Sequence, residues 1–231
     1  MKNAVLEPSN SNKKTIIFDC DGVLVDSEPL SVRAYDIVFE QDGIPLPQGA
    51  LTQCFGLKQE AILDEFAKLY GKCLSREGES KLWPETKKLF DKELKATIGI
   101  QGFLQKQTGK MAVASSSSSE RLLYSLEKTH LAVFFGKHIY STSLVKNGKP
   151  APDIFLYVAE KLNAQPQNCV VIEDSPYGIM GAKAAGMMAI GYLGGGHIKL
   201  MTDHDKILQQ AGADFIADDW DEVGAFLAHC V

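Results

Sequence analysis

The chain is short of the features that mark several large protein classes. Its five cysteines, at positions 20, 54, 73, 169 and 230, are an odd number and no Cys-x-x-Cys occurs, so neither a disulfide framework nor a zinc site is indicated. They are expected as buried free thiols in a reducing cytoplasm. No strongly basic block stands out, and 24 basic against 29 acidic residues leave a net charge of −5. That balance argues against nucleic acid as a partner. No apolar run reaches membrane-spanning length, so no membrane partner is expected. Residues 1–13 are polar, lack the apolar centre of a signal peptide and are expected as a frayed tail. What is left, 231 residues with 45% hydrophobic and 23% charged side chains, suits one large domain or a domain carrying an insert. A monomer is expected.

Against that plain background stand four short motifs. Asp19-Cys-Asp21-Gly22 follows the apolar run Thr15-Ile-Ile-Phe18; Ser115 follows Met111-Ala-Val-Ala114; Glu173-Asp174 follows Cys169-Val-Val-Ile172. The fourth is Lys149-Pro-Ala-Pro-Asp153. Apolar runs of this kind read as buried parallel strands, and in open α/β sheets ligands bind at the strands' carboxyl ends. One basin would then collect Asp19, Asp21, Glu173, Asp174, the Ser115 hydroxyl and the Lys149 ammonium. Two like charges 4 Å apart repel by roughly 4 kcal/mol at an effective dielectric near 20. Four carboxylates therefore call for a cation, and an all-oxygen set favours a hard ion such as Mg²⁺. Cys20, between two acids, is expected to point to the opposite side of the extended segment, as a buried thiol.

The rest of the chain sets the architecture. Glu28–Gln41, Glu60–Tyr70 and Glu79–Ala96 have helical apolar spacing, with Pro84 marking a possible entry to the last. From Ile98 the pattern alternates. Strands are expected at 111–114, 138–140, 169–172, 187–192 and 214–217, with helices at 119–129, 152–162, 176–185, 203–211 and 220–229. This is the pattern of an α/β protein with a Rossmann-like, doubly wound parallel sheet. Residues 14–26 and 97–231 form the core, and 27–96 an inserted helical cap over the sheet's carboxyl edge. Ser115–Ser119 read as a strand-to-helix turn whose later serines can cap the helix. Asp153 reads as an acid in the first turn of its helix. Gly194-Gly195-Gly196 is expected as a surface connection.

Taken together and in this order, the four motifs resemble the haloacid dehalogenase superfamily, from about Lys14 onward and including the helical insert. The resemblance implies phosphoryl transfer through an aspartyl phosphate. It makes Asp19 the nucleophile, and Asp21 the general acid and base. Asp19, Asp174 and the backbone carbonyl of Asp21 become the Mg²⁺ ligands, with Glu173 supporting them or ligating directly. Ser115 and the Ser116 amide would hold phosphate oxygens, and Lys149 would offset charge on the phosphoryl group and on Asp19.

Asp21 speaks against dehalogenation and phosphonate cleavage, whose branches lack that second acid. The sequence is most similar to the β-phosphoglucomutase-like branch, which holds both mutases and sugar-phosphate phosphatases. The mutases carry a histidine where this chain has Ser31 and a cap arginine where it has Gln59. Lys58 is a candidate to reach a substrate anion, an exposed lysine being the alternative. The reading that results is a phosphatase acting on a small phosphorylated metabolite, similar to those for 6-phosphogluconate. A phosphosugar mutase and a non-catalytic module on the same fold are the alternatives.

Overall fold

The computed structural model describes residues 14–47, 49–51 and 59–229. The expected tail and Lys58 lie outside them. Six strands form one parallel sheet: β1 (Thr15–Phe18), β2 (Met111–Ser115), β3 (Ile139–Ser141), β4 (Cys169–Glu173), β5 (Met188–Tyr192) and β6 (Phe215–Ala217). Their order is β3-β2-β1-β4-β5-β6. This is the doubly wound order, in which strand succession reverses beside β1 and opens a crevice at the carboxyl ends. Register places Phe18 level with Val113 on one side and Ile172 on the other. The ends of β1, β2 and β4 therefore stand side by side.

The four central strands, β1, β2, β4 and β5, are buried on both faces, which is why they read as continuous apolar runs. Ile16, Phe18, Val113, Val170 and Ile172 face one cluster with α4 (Ile100–Lys106), α5 (Ser119–Lys128), α6 (Ala132–Phe135) and α10 (Trp220–His229). Ile17, Ala112, Ala114 and Val171 face the other, with α7 (Asp153–Lys161), α8 (Pro176–Ala184) and α9 (His204–Gln210). Cys20 belongs to the first cluster and is fully buried, as expected. Cys169 is buried too, but Cys73 is exposed. It lies in the short connection between the helix that ends at Tyr70 and the one that begins at Arg76, beside the buried Leu74.

Between β1 and β2 the chain makes α1 (Glu28–Gln41), α2 (Gln59–Tyr70) and α3 (Arg76–Glu93). These have a core of their own around Tyr35, Val38, Phe39, Phe66 and Leu82. Leu30, Ala34, Leu89 and Phe90 tie α1 and α3 into the sheet's first cluster. The outgoing and returning chains pair with each other: Asp26 N donates to Lys95 O at 2.9 Å, and Thr97 N to Leu24 O at 3.0 Å. That pairing explains why α3 stops at Glu93 and not at Ala96, since Leu94 is already extended. Its start is earlier than expected as well. Ser75 caps it, accepting from Gly78 N, and Pro84 sits inside the helix. The short helices α4 and α6 carry too few turns to show a period, and Gly102 interrupts the first. Among the described residues no helix is long and apolar enough to cross a membrane.

Candidate active site

The turn after β1 is built to bring backbone close to acid. Gly22 has φ +77°, and a Cβ there would lie 1.9 Å from Asp174 Oδ2. Only glycine meets both demands. The loop thereby sets Asp19 against the end of β4, where Glu173 and Asp174 emerge. Lys149 reaches in from the segment before α7. Its Nζ donates to Asp19 Oδ1 at 2.5 Å, to Glu173 Oε1 at 2.6 Å and to the carbonyl of Ala114 at 2.9 Å. The Lys149 and Glu173 side chains are each 1% exposed. Glu173 Oε2 accepts from the amide and hydroxyl of Ser175, both at 3.0 Å. Asp153 opens the following helix, and its Oδ1 accepts from the amide and side chain of Asn147.

Oxygens of Asp19, Glu173 and Asp174 lie within 4.8 Å of one another, all buried. Burial pushes the Asp19 and Asp174 carboxyls well above their ordinary range. The pull of Lys149 offsets this only in part, and the neighbouring acids add to it. For Lys149, burial works against the charge, but Asp19 and Glu173 outweigh it and hold the ammonium protonated. One cation among three buried carboxylates leaves negative charge uncompensated. The donors are all oxygens, so the group fits a hard divalent ion.

Asp21 lines the same cavity as Asp19 but is not one of the three acids whose oxygens cluster. Its side chain turns to a different set of partners. Oδ1 accepts from Ser27 Oγ at 2.6 Å and from Arg121 Nη2 at 2.9 Å, while Oδ2 accepts from Ser117 Oγ at 2.7 Å. Burial would raise its pKa, but Arg121 and the two hydroxyls outweigh that and lower it. The serine run divides its work. Ser115 Oγ, fully buried, accepts from Ser117 N at 3.0 Å, which leaves its own proton to donate. Ser116 Oγ is buried with no hydrogen-bond partner among the described residues. Ser118 caps α5 as expected, accepting from Arg121 N.

The Gly194–Gly196 segment is not the surface connection expected of it. Gly196 N donates to Asp26 Oδ1 at 2.9 Å, and a Cβ on Gly196 would sit 2.5 Å from that carboxylate. The glycines let this loop pass against the β1 turn and deliver His197, whose Nε2 lies 3.0 Å from Asp174 Oδ2. His204 Nε2 lies 2.6 Å from the Asp174 carbonyl. Burial lowers the pKa of both imidazoles.

Above these groups is a cavity of about 440 Å³. Asp19, Asp21, Ser116 and Ser117 line its floor; Ser31, Tyr35, Gln59, Leu82 and Trp83 line its helical roof. Glu28 lines the seam, and burial, with Asp21 nearby, raises its pKa to about 7. Arg121, Glu28 and His197 escaped the sequence reading. A faint signal existed for Arg121: an arginine in the first turn of a helix opposes the helix dipole and calls for a specific acid.

The haloacid dehalogenase-like hydrolase family matches residues 16–192. The 6-phosphogluconate phosphatase of Escherichia coli (strain K12) is 31% identical over 199 residues, 85% of this chain and 90% of that protein. The phosphorylated carbohydrates phosphatase of Thermotoga maritima is 34% identical over 204 residues, 87% and 92% of the two chains. A crystal structure of a haloacid dehalogenase-like protein of unknown function from Agrobacterium tumefaciens superposes with a TM-score of 0.81 at 33% identity, covering 94% of this chain and 99% of that one. A parallel sheet with acids at the ends of β1 and β4, joined by one buried lysine, thus agrees with the matched sequence, and the chain belongs to the haloacid dehalogenase-like hydrolase family.

Proposed function

We propose that this protein is a Mg²⁺-dependent phosphatase that hydrolyses a small phosphorylated metabolite, a sugar phosphate or sugar-acid phosphate, through an aspartyl phosphate on Asp19. The observation that carries the reading is the Lys149 ammonium shared between Asp19 and Glu173 in a buried triad with Asp174. Such a triad is costly unless a cation neutralises it, and a cation held there gives an anionic group a place to bind. Asp19, Asp174 and the Asp21 backbone carbonyl would hold the Mg²⁺, with Glu173 anchored behind them by Ser175. When bound, the ion supplies charge neutralisation for the phosphoryl oxygens.

The chain's own groups account for the rest. Asp19 attacks phosphorus; the bond to the leaving oxygen breaks, and Asp21 gives that oxygen its proton. In the second half Asp21 takes a proton from water, the water oxygen bonds to phosphorus, and Asp19 is released with inorganic phosphate. Ser115, the Ser116 amide and Lys149 hold the phosphoryl oxygens. The cavity has the size of a small-metabolite site. Its roof offers Ser31 and Gln59 where the mutases of the branch carry histidine and arginine. Hydrolysis is therefore favoured over return of the phosphoryl group to a sugar. Residues 27–96 act as the cap.

The test is phosphate release from a panel of sugar and sugar-acid phosphates, with Mg²⁺ and then with EDTA, for the native protein and Asp19→Asn. Activity should require Mg²⁺, and Asp19→Asn should lose about 10³-fold or more while keeping its fold. Near-native turnover by Asp19→Asn, or full activity in EDTA, would refute the reading. Glucose 6-phosphate formed from β-glucose 1-phosphate with a bisphosphate primer, faster than phosphate is freed from any substrate, would assign a mutase instead.

A further inference from the structure

Among the described residues lining the cavity, Arg121 is the single basic side chain; its Nη2 is committed, while its Nε is buried with no hydrogen-bond partner among the described residues. Nη2 donates to Asp21 Oδ1 and to Ser31 Oγ, both at 2.9 Å. The guanidinium lies over the Phe90 ring at 5.3 Å. Its side chain is 20% exposed. The residue stands on α5 of the sheet domain, Ser31 on α1 and Phe90 on α3. One side chain thus joins the Asp21 carboxylate to two helices of the roof. The Nη2 end of the guanidinium is held between an acid and a hydroxyl. Ser31 is held in turn, since its Oγ donates to Ser27 O at 2.9 Å.

The partners of Asp21 divide unevenly between its oxygens. Oδ1 accepts from both Ser27 and Arg121. Oδ2 accepts from Ser117 alone. A carboxylate oxygen has two in-plane lone pairs, so Oδ1 is filled and Oδ2 has one place left.

We propose that Arg121 is a positioning residue for proton transfer: it fills Asp21 Oδ1, so that Oδ2 is the atom that gives its proton to the leaving oxygen, and through Ser31 it makes that alignment depend on the seating of the helical roof. The proposal rests on the reading of Asp21 as general acid. In the step concerned, Asp21 first binds a proton at the open place of Oδ2, the one it takes from water in the second half-reaction, against the pull of Arg121 and the two hydroxyls; that proton then passes to the leaving oxygen as the phosphorus–oxygen bond breaks and the bond to Asp19 forms. A good leaving group scarcely needs that proton, whereas an alkoxide does. Loss of alignment must therefore fall on substrates in proportion to the basicity of what they release.

The experiment compares kcat/KM, which reports the first half-reaction, for 2,4-dinitrophenyl phosphate, 4-nitrophenyl phosphate, phenyl phosphate and glucose 6-phosphate. The proteins are the native chain, Asp21→Asn, Arg121→Met, Arg121→Lys and Ser31→Ala, all with Mg²⁺. Asp21→Asn should depress glucose 6-phosphate relative to 2,4-dinitrophenyl phosphate by the 10² to 10⁴ that general acids supply, roughly. Arg121→Met should depress the same ratio by at least about 30-fold, as a misaligned acid keeps part of that effect. Arg121→Lys should recover part of the ratio, and Ser31→Ala should lower it less than Arg121→Met. A merely structural role predicts equal losses on every substrate, which would overturn the proposal. So would a rise in KM confined to glucose 6-phosphate, which would make Arg121 a substrate contact. If Asp21→Asn itself leaves the ratio unchanged, the reading of Asp21 as acid fails, and this proposal falls with it. A changed ratio in Asp21→Asn with an unchanged one in Arg121→Met overturns the proposal alone.

Discussion

Beneath the floor of the cavity, Lys149 lies between Asp19 and Glu173 with 1% of its side chain exposed; the two acids hold the ammonium charged, and it offsets their mutual repulsion. At the roof, Tyr35, Leu82 and Trp83 line the cavity, and the polar atoms of Trp83 and Thr86 bond away from the buried acids. Trp83 Nε1 donates to Glu120 Oε1 at 2.8 Å, and Thr86 Oγ1 to Leu82 O at 2.8 Å. The floor is a set of mutually dependent charges on strand ends; the roof is a set of separable contacts on helices. The difference assigns chemistry to the part where no member can change alone. On the function proposed above, discrimination among substrates would fall to the roof, whose side chains, Ser31 apart, make separable contacts.

The sharpest test of that contrast removes the ammonium. In Lys149→Met, Asp19 and Glu173 lose their shared cation while still buried, and breaking a buried ion pair from one side costs about 3–5 kcal/mol. Urea unfolding should show a loss of that size, with turnover abolished. Mg²⁺ should restore part of the stability, because an ion that binds only the folded state stabilises it. A variant of native stability would show that the floor charges are not interdependent, and the contrast would collapse.

How legible each half was follows from the same distinction. The floor could be read because β1, β2 and β4 are buried on both faces, and each apolar run ends abruptly in a charged or hydroxyl side chain. Asp19, Ser115 and Glu173 announce themselves in this way, and the α1 boundaries at Glu28 and Gln41 came through unchanged. Partnerships across the chain could not be read. Nothing near Asp21 in sequence points to Arg121, 100 residues on. Nothing in Gly194–Gly196 says that this loop will meet Asp26, 170 residues before it. Both depend on the insert and the last third of the chain packing over one turn. The ends of α3 were misplaced for a related reason. Asp42 at the end of α1 meets Ser75, and Val25 meets Ala96, contacts that no local period encodes.

A middle-sized effect belongs to the seam. Glu28 stands in the first turn of α1, 9% exposed. Burial first, then the charges of Asp21 and Asp174, raise its pKa to about 7 against the pull of His197 and Arg121. A carboxyl raised on folding contributes stability that is present in full below its unfolded value and is lost as pH rises through the folded value. Stability should therefore fall between about pH 5 and 8 by roughly 2–3 kcal/mol from this group. Glu28→Gln, which cannot ionise, should flatten that part of the curve. An unchanged pH profile in Glu28→Gln would mean that the seam does not share the floor's electrostatics.

The smallest effect is expected deepest in the roof. Ser75 begins α3; its Oγ accepts from Gly78 N at 3.0 Å and donates to Asp42 Oδ1 at 2.6 Å, while its amide donates to Asp42 Oδ2 at 2.6 Å. Those hydrogen bonds lower the pKa of Asp42 and fix the start of one roof helix to the end of another. Ser75→Ala deletes the cap and one of the two bonds to Asp42 but leaves the backbone bond in place. Loss of a serine cap costs about 1 kcal/mol. Since Ser75 touches neither the cavity nor the floor, kcat/KM for 4-nitrophenyl phosphate should not change, and the denaturation midpoint alone should fall. Were Ser75→Ala to lose turnover in step with Lys149→Met, the roof would be as tightly bound to the chemistry as the floor. Substrate choice and catalysis could then not be altered separately. A fall in stability without a fall in turnover is the outcome that keeps the two halves distinct.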